Sequence, residues 1–442
     1  MVIAGEPSGD TLAAELVRSL RATWAEKAAR PSADLQPLET GLAPRFFGAG
    51  GARMAEAGVE LAFDMTQHAV VGLVEVLRNY GKFKRLFNQL LQLAIDRQPD
   101  AILCVDFSGF NRRFANAVKS GVRRQHGPFK NWNPKIVQFV SPQVWASRPG
   151  RALAMARDFD LVLSIFPFEK AWYAEHAPGL PVEFVGHPIV DRYAKAATGA
   201  GVAPATPASV AHPNPRSAVP ADDDRVSLNR APGLPPSSVG CSQPLVPNQD
   251  VRENVPTVLL LPGSRAGELK RHLPVMLGAL EIIQSNRPGL RARMALPNET
   301  LARLARTFPW PAGLELEIDG LAQALACADL AIASTGTVTM ECAFFGLPAV
   351  AIYKTSWSTY QIGKRIIQVR HLAMPNLLAG KTVYPELIQH EATPEAIARE
   401  SLELLDDPAR RTRVKAELAT VIGSLGGPGA SRRAAQAILE IL

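Results

Sequence analysis

The chain is poor in cysteine, in charge and in aromatic residues, and it has no long apolar run. Among 442 residues there are four cysteines, Cys104, Cys241, Cys327 and Cys342, far apart and without a CxxC spacing. That excludes a disulfide framework and a cysteine-based zinc site, and it fits a reducing compartment. Cys104, Cys327 and Cys342 lie in apolar segments and read as buried thiols. No apolar stretch approaches the roughly 20 residues that span a bilayer, and no secretory signal opens the chain, so the expected location is the cytoplasm, with contact to a membrane surface left open. Charged residues make up only 20%, yet the formal net charge is +7, so an anionic partner is expected: nucleic acid, a membrane surface or a phosphorylated substrate. A recognised basic–aromatic module is also missing, which leaves nucleic acid resting on net charge alone. There is no solenoid repeat.

What the chain does have is material for packed cores, with 47% hydrophobic residues and a length that suggests two or three domains. AILCVD (101–106), KIVQFV (135–140), DLVLSIF (160–166) and VEFVG (182–186) read as buried strands. TVLLL (257–261), RMALP (293–297), LAIAS (330–334) and PAVAIY (348–353) form a second group. Continuous apolar strands between helical patterns predict parallel sheets covered on both faces. Between the groups, residues 195–256 turn rich in Ala, Pro, Ser, Gly and Asn, which predicts a disordered linker or insertion. A shorter stretch of this kind spans 28–44. The predicted fold class is α/β: two doubly wound Rossmann-like domains, 1–194 and 257–442, with a cleft between them at the carboxyl ends of the strands.

Seven stretches carry candidate chemistry or contacts. GEPSGD (5–10) links a short strand to a helix patterned by Leu12, Leu16, Val17 and Leu20. Such turns often hold phosphate, but Glu6 and Asp10 oppose that. Ser8 can cap the helix, and a purely structural turn remains open for Pro7 and Gly9. PGSRAGE follows strand 257–261, and Gly263, Ser264 and Arg265 at a helix N-terminus favour a diphosphate. The alternative is a surface arginine after an ordinary βα turn. STGT, Ser334, Thr335, Gly336 and Thr337, forms a second anion cradle, and Glu341 one helical turn on could accept both hydroxyls of a ribose. In AILCVDFSGFN, Asp106 ends a buried strand and reads as a general base or a helix cap, with Asn111 a polar ligand or a surface residue. VSPQVWASRPGR places Ser141, Gln143, Trp145, Arg148 and Arg151 past another strand, as suits an acceptor pocket with a phosphate contact, or a loop around one buried Trp. His187 in VGHPIVD faces the cleft or is structural. The helical pattern 72–95 interleaves Leu73, Leu77 and Phe83 with Arg78, Lys82, Lys84 and Arg85, so it reads as a membrane-contacting helix or as a core helix with a basic outer side.

Taken together, GEPSGD, VGLVEVL, VDFSGFN, VSPQVWA, PFEKAWY, VGHP, LLLPGSRAGE, STGTVTMECAFFGLP and MPNLLAGKTVYPELIQ resemble the lipid-A-disaccharide synthase family, in the family's order and over most of the chain outside the two insertions. The resemblance implies a GT-B glycosyltransferase of lipid A synthesis. It would join UDP-2,3-diacylglucosamine to 2,3-diacylglucosamine 1-phosphate with inversion, giving a β-1′,6-linked disaccharide 1-phosphate and UDP. It implies Asp106 as general base and Arg265 with the STGT amides at the diphosphate. Glu341 would hold the ribose, and Asn376, Glu386 and Gln389 would line the donor side. GEPSGD would be the acceptor-side lip of the cleft, with Glu6 or Asp10 binding sugar hydroxyls. No cofactor and no metal are implied. The implied place is the cytoplasmic face of the inner membrane, with the 72–95 helix meeting the acyl chains. The last helix would cross back to the first domain or exchange in a homodimer. Two departures stand out. Only Val2, Ile3 and Ala4 precede GEPSGD, which implies a late start or a cut strand. The 195–256 segment exceeds the family's link and is expected to be dispensable for chemistry. Two rival readings are a UDP-GlcNAc transferase of cell-wall synthesis or a UDP-sugar epimerase on the same fold, and a non-catalytic lipid or nucleotide binder.

Overall fold

A computed structural model describes residues 1–29, 43–66, 80–125, 131–199 and 255–442. Seven strands form the first sheet: β1 (Val2–Ala4), β2 (Phe47–Gly50), β3 (Glu60–Asp64), β4 (Ala101–Val105), β5 (Lys135–Phe139), β6 (Leu161–Ser164) and β7 (Val182–Phe184), ordered β3-β2-β1-β4-β5-β6-β7. Six form the second: β8 (Thr257–Leu261), β9 (Arg291–Leu296), β10 (Leu314–Ile318), β11 (Leu330–Ser334), β12 (Ala349–Tyr353) and β13 (Glu386–Ile388), ordered β10-β9-β8-β11-β12-β13. Every pairing is parallel. In both sheets the winding reverses beside the first strand, between β1 and β4 and between β8 and β11. That switch point opens a crevice at the carboxyl ends.

The central strands are apolar throughout because helices cover both faces: all five residues of β8 and of β11 are buried. The helix Pro7–Ala28 buries Ala13, Leu16, Val17 and Leu20 against the first sheet. The helix Ala266–Asn286 buries Leu269, Leu273, Met276, Leu280 and Ile283 against the second. Cys104 and Cys342 are buried, but Cys327 is only half-buried.

One domain limit differs from the sequence reading, and the last helix takes one of its two expected places. The helix Pro188–Gly199 continues the first domain past residue 194, and residues 200–254 lie outside the described residues. The final helix, Ala430–Ile441, belongs by packing to the first domain. It lies along Pro7–Ala28, and its Ala434, Ala435 and Ile438 share the core of β1. Asp191 anchors it by accepting the N–H groups of Gly429 and Ser431 at its N-terminus. Arg433 Nε donates to Val185 O at 2.7 Å, and His187 N–H donates to Leu425 O at 3.0 Å.

Leu73, Leu77 and Arg78 of the basic helical pattern lie outside the described residues. The described part is the helix Tyr80–Arg97, which turns Leu90 and Ala94 into the core and sets Phe87 against Phe110 and Phe114. Lys84 and Arg85 are exposed and Phe83 is half-buried. The described part thus packs one side into the core and leaves Lys84 and Arg85 exposed. No described helix is long and apolar enough to cross a membrane.

Asp191→Ala removes the carboxylate cap from the last helix and should lower unfolding free energy by about 1–2 kcal/mol. Urea titration followed by circular dichroism measures it, and an unchanged midpoint would show that the crossing helix does not depend on this cap.

Candidate active site between the two sheets

The carboxyl edge of the first sheet brings GEPSGD and the Asp106 turn together, because β1 and β4 are neighbours. Gly5 makes this possible. A Cβ there would lie 2.3 Å from the Phe107 ring, so any side chain would displace the turn. Asp106 and Phe107 both adopt left-handed backbone, with φ of 50° and 41°, a costly conformation for non-glycine residues. Side-chain amides hold it in place. Asn111 Nδ2 donates to the Asp106 carbonyl at 2.7 Å, and Gln138 Nε2 donates to the same oxygen at 3.0 Å. Asn111 is fully buried, so its place is beneath Asp106 rather than on the cleft surface.

The second sheet presents PGSR after β8 and STGT after β11, again adjacent strands. Gly263 has φ of 117°, and the Glu268 carboxylate folds over it, 2.6 Å from where a Cβ would stand. Arg265 Nη1 donates to Glu268 Oε1 at 3.0 Å, and its Nη2 reaches across the cleft to Glu6 Oε2 at 2.7 Å. Glu6, Arg265 and Asp106 therefore act on one another. Burial and the Glu6 charge raise the Asp106 pKa, opposed by the Phe107 N–H and by Arg265. Gly336 and Thr337 are exposed at the start of the helix Thr337–Phe344, while Ser334 is buried and the Thr335 N–H is held by Ile352 O. Glu341 is half-buried and accepts from Tyr193 Oη at 3.1 Å, with Arg192 at 3.9 Å. Burial raises its pKa, and both of those partners oppose the rise.

Several predicted residues have other occupations. Asp10 is buried, with its oxygens accepting the N–H groups of Gly51, Arg53 and Met54 at 2.7, 3.0 and 3.1 Å; it caps the helix Ala52–Glu56 and not a sugar. Ser8 is not the helix cap. Glu6 holds that position, Pro7 opens the helix, and Ser8 is exposed in the first turn. Asn376 donates to Tyr384 O and Glu386 Oε1 and accepts from the Val383 and Tyr384 N–H groups. Glu386 also accepts from the Leu372 and Ala373 N–H groups. Gln389, at φ of 55°, is bonded on both sides to the Thr355 backbone. All three brace the loops after β12 and leave few polar atoms for a ligand. His187 accepts the Ile189 N–H at 3.1 Å with its ring beside Phe166. Burial, aided by the Arg192 charge, lowers its pKa to about 3, so it is a neutral structural imidazole. Ser141 is buried and bonded to Tyr173 Oη, Gln143 is exposed near Met374 Sδ, and Arg148 is exposed.

Other residues escaped the sequence reading. Glu169 is fully buried behind the VSPQVWA loop, accepts Trp145 Nε1 at 2.9 Å, and is pushed by burial to about 7. His272 is bonded at Nδ1 to Pro262 O and accepts the Lys354 N–H at Nε2, which ties the PGSR turn to the end of β12. Gln138 lay hidden inside an apolar strand. Its only signal was a polar residue in KIVQFV.

His187 gives a pH test of this geometry. Its folded pKa lies below the ordinary value near 6.5, so the unfolded chain takes up the proton first and the parent loses stability on acidification. His187→Asn keeps an acceptor for the Ile189 N–H and does not titrate. Relative to the parent, its unfolding free energy should rise by up to about 1.4 kcal/mol per pH unit below pH 6.5. A difference that is flat in pH would contradict a buried neutral His187.

The relatives agree with the motifs. The lipid-A-disaccharide synthetase family model matches residues 1–204 and 246–441, and the gap falls inside the Pro/Ala/Ser-rich segment. Lipid-A-disaccharide synthase of Geobacter sulfurreducens is 36% identical over 100% of this chain and 97% of its own length. That of Myxococcus xanthus is 34% identical over the same shares. Among solved structures, an S. aureus MnaA structure determined with UDP aligns over 100% of this chain and 96% of its own at 11% identity and a TM-score of 0.54. The glycotransferase of kitacinnamycin aligns over 100% and 98% at 16% identity and a TM-score of 0.54, and the shared fold is GT-B. The chain belongs to the lipid-A-disaccharide synthase family and is a lipid A disaccharide-forming glycosyltransferase.

Proposed function

We propose that the chain transfers a 2,3-diacylglucosaminyl group from its UDP donor to the 6-hydroxyl of 2,3-diacylglucosamine 1-phosphate, with Asp106 as general base. The observation that carries this is the meeting of Asp106, Glu6 and Arg265 across the cleft. Asp106 takes the proton as the 6-oxygen attacks the anomeric carbon from the face opposite UDP, and the centre inverts. Burial and Glu6 make Asp106 a stronger base than an ordinary carboxylate. Negative charge develops on the leaving diphosphate, where Arg265 and the amides of the STGT turn can meet it. Without donor, Glu6 and Glu268 occupy the Arg265 fork. The diphosphate would take over those donors, leaving Glu6 to face Asp106. Glu341 would bind the ribose once Tyr193 yields, and Glu6 would remain on the acceptor side.

Both substrates carry acyl chains, so the working place is the cytoplasmic face of the inner membrane. Exposed Lys84 and Arg85 support a basic membrane-facing side. The reaction is tested by mass spectrometry of the product from defined diacyl substrates. A tetraacyl disaccharide 1-phosphate is expected, and free UDP without disaccharide would refute the transfer. Asp106→Asn should lower kcat by about 10²- to 10⁴-fold while UDP still binds in calorimetry. Turnover that survives unchanged would remove Asp106 as the base.

Glu6 makes a separate prediction. Its charge raises the Asp106 pKa, so Glu6→Gln should lower it and move the acid limb of the kcat/KM profile to lower pH. An acid limb that stays in place or moves upward would exclude this coupling.

A further inference from the structure

Between Asp106 and Asp158 the chain carries no acidic residue. Two helices from this stretch pack on each other: Ser108–Gln125, which starts directly behind Asp106, and Arg151–Asp158, which follows the VSPQVWA loop. Arg112 and Arg113 lie near the start of the first helix. Arg148 and Arg151 lie at the start of the second. The first helix follows β4 and the second follows β5, adjacent parallel strands, so both helices begin at the same carboxyl edge and bring the four arginines to one region. After burial, the charges of Arg148, Arg112 and Arg113 accordingly help to lower the Arg151 pKa.

Elsewhere arginines meet carboxylates: Arg97 with Glu60, Arg265 with Glu6, Arg410 with Glu400, Arg432 with Glu26. Arg112, Arg113, Arg148 and Arg151 show no carboxylate partner and no side-chain hydrogen bond among the described residues. Like charges gathered without an acid repel one another. An anion with several acceptor oxygens reverses the sign of that interaction and matches the guanidinium forks. The position is also specific. Arg112 stands only roughly 6 Å of helical rise beyond Ser108, in the first turns of the helix that begins directly after the Asp106 turn. A cationic site at the same sheet edge as the proposed base suits an acceptor bearing a phosphate.

We infer that Arg112, Arg113, Arg148 and Arg151 bind the phosphomonoester of the acceptor lipid and so select a phosphorylated over an unphosphorylated acceptor. This rests on the transfer proposed above for its substrate, but not for its binding test. The phosphate anchors one end of the sugar, which presents the opposite end, the 6-hydroxyl, to Asp106. The same chemistry could instead read phosphates of a bilayer surface, and the two sources separate experimentally.

The test compares the parent with Arg112→Gln/Arg151→Gln on 2,3-diacylglucosamine 1-phosphate and on the same lipid without its phosphate. The parent should prefer the phosphorylated acceptor by roughly 10- to 100-fold in kcat/KM, and the variant should lose most of that preference. Arg112→Lys/Arg151→Lys should restore part of it. No preference in the parent, or equal preference in parent and variant, overturns the inference. A variant that keeps the preference but no longer sediments with phosphatidylglycerol vesicles overturns it in favour of a lipid surface. Should no acceptor be glycosylated, the proposed transfer fails, and the site is read by calorimetry with glucosamine 1-phosphate. Saturable binding by the parent that the Gln variant loses supports the phosphate site, and no binding by the parent overturns it.

Discussion

Parallel strands all end at one edge, and the site depends on that constraint. Each sheet delivers its loops to the same side, and each reverses its winding beside its first strand. The reversal places GEPSGD next to the Asp106 turn in one sheet and PGSR next to STGT in the other. The last helix then returns to the first sheet, where Asp191, Val185 and Leu425 anchor the crossing. Two edges facing each other make a cleft lined by four turns that are far apart in sequence.

Charge at the cleft is balanced both within the second domain, where Arg265 meets Glu268, and across the cleft. Glu6 belongs to the first domain and Arg265 to the second, yet they form an ion pair at 2.7 Å. Asp106 feels both charges with opposite signs. In the proposed reaction an anionic donor would meet an arginine already oriented by two carboxylates. The strained backbone at Asp106 and Phe107 is held by Asn111 and Gln138. This fixes the carboxylate relative to Arg265 and keeps its pKa sensitive to both neighbours.

Much of the fold could be read from apolar runs, since β4, β5, β8, β11 and β12 are buried on both faces and read as continuous hydrophobic strands. The strands that escaped had weaker signals. β2 reads FGAG, β10 alternates as LELEI at a sheet edge, and β13 has three residues. At the site, Asp106, Arg265 and Glu6 carried visible signals, because a charged residue just past an apolar strand or beside a glycine turn is conspicuous. Residues such as Asp10, Asn376 and Gln389 looked alike in sequence. A polar side chain beside a turn reads the same whether it faces a ligand or an unpaired backbone N–H.

The order of apolar strands, the glycine turns and the placing of acids and arginines along them were set locally, and so they were legible in the chain. Only the tertiary structure decided which partners those side chains found. It took Asp10, Asn376, Glu386 and His187 into backbone bonds, joined Glu6 to Arg265, and gathered four arginines without an acid. The reason is that buried backbone groups must be paired, and which side chain reaches them depends on how the chain folds back, across 41 residues for Asp10 and Gly51 and across 238 for Asp191 and Gly429.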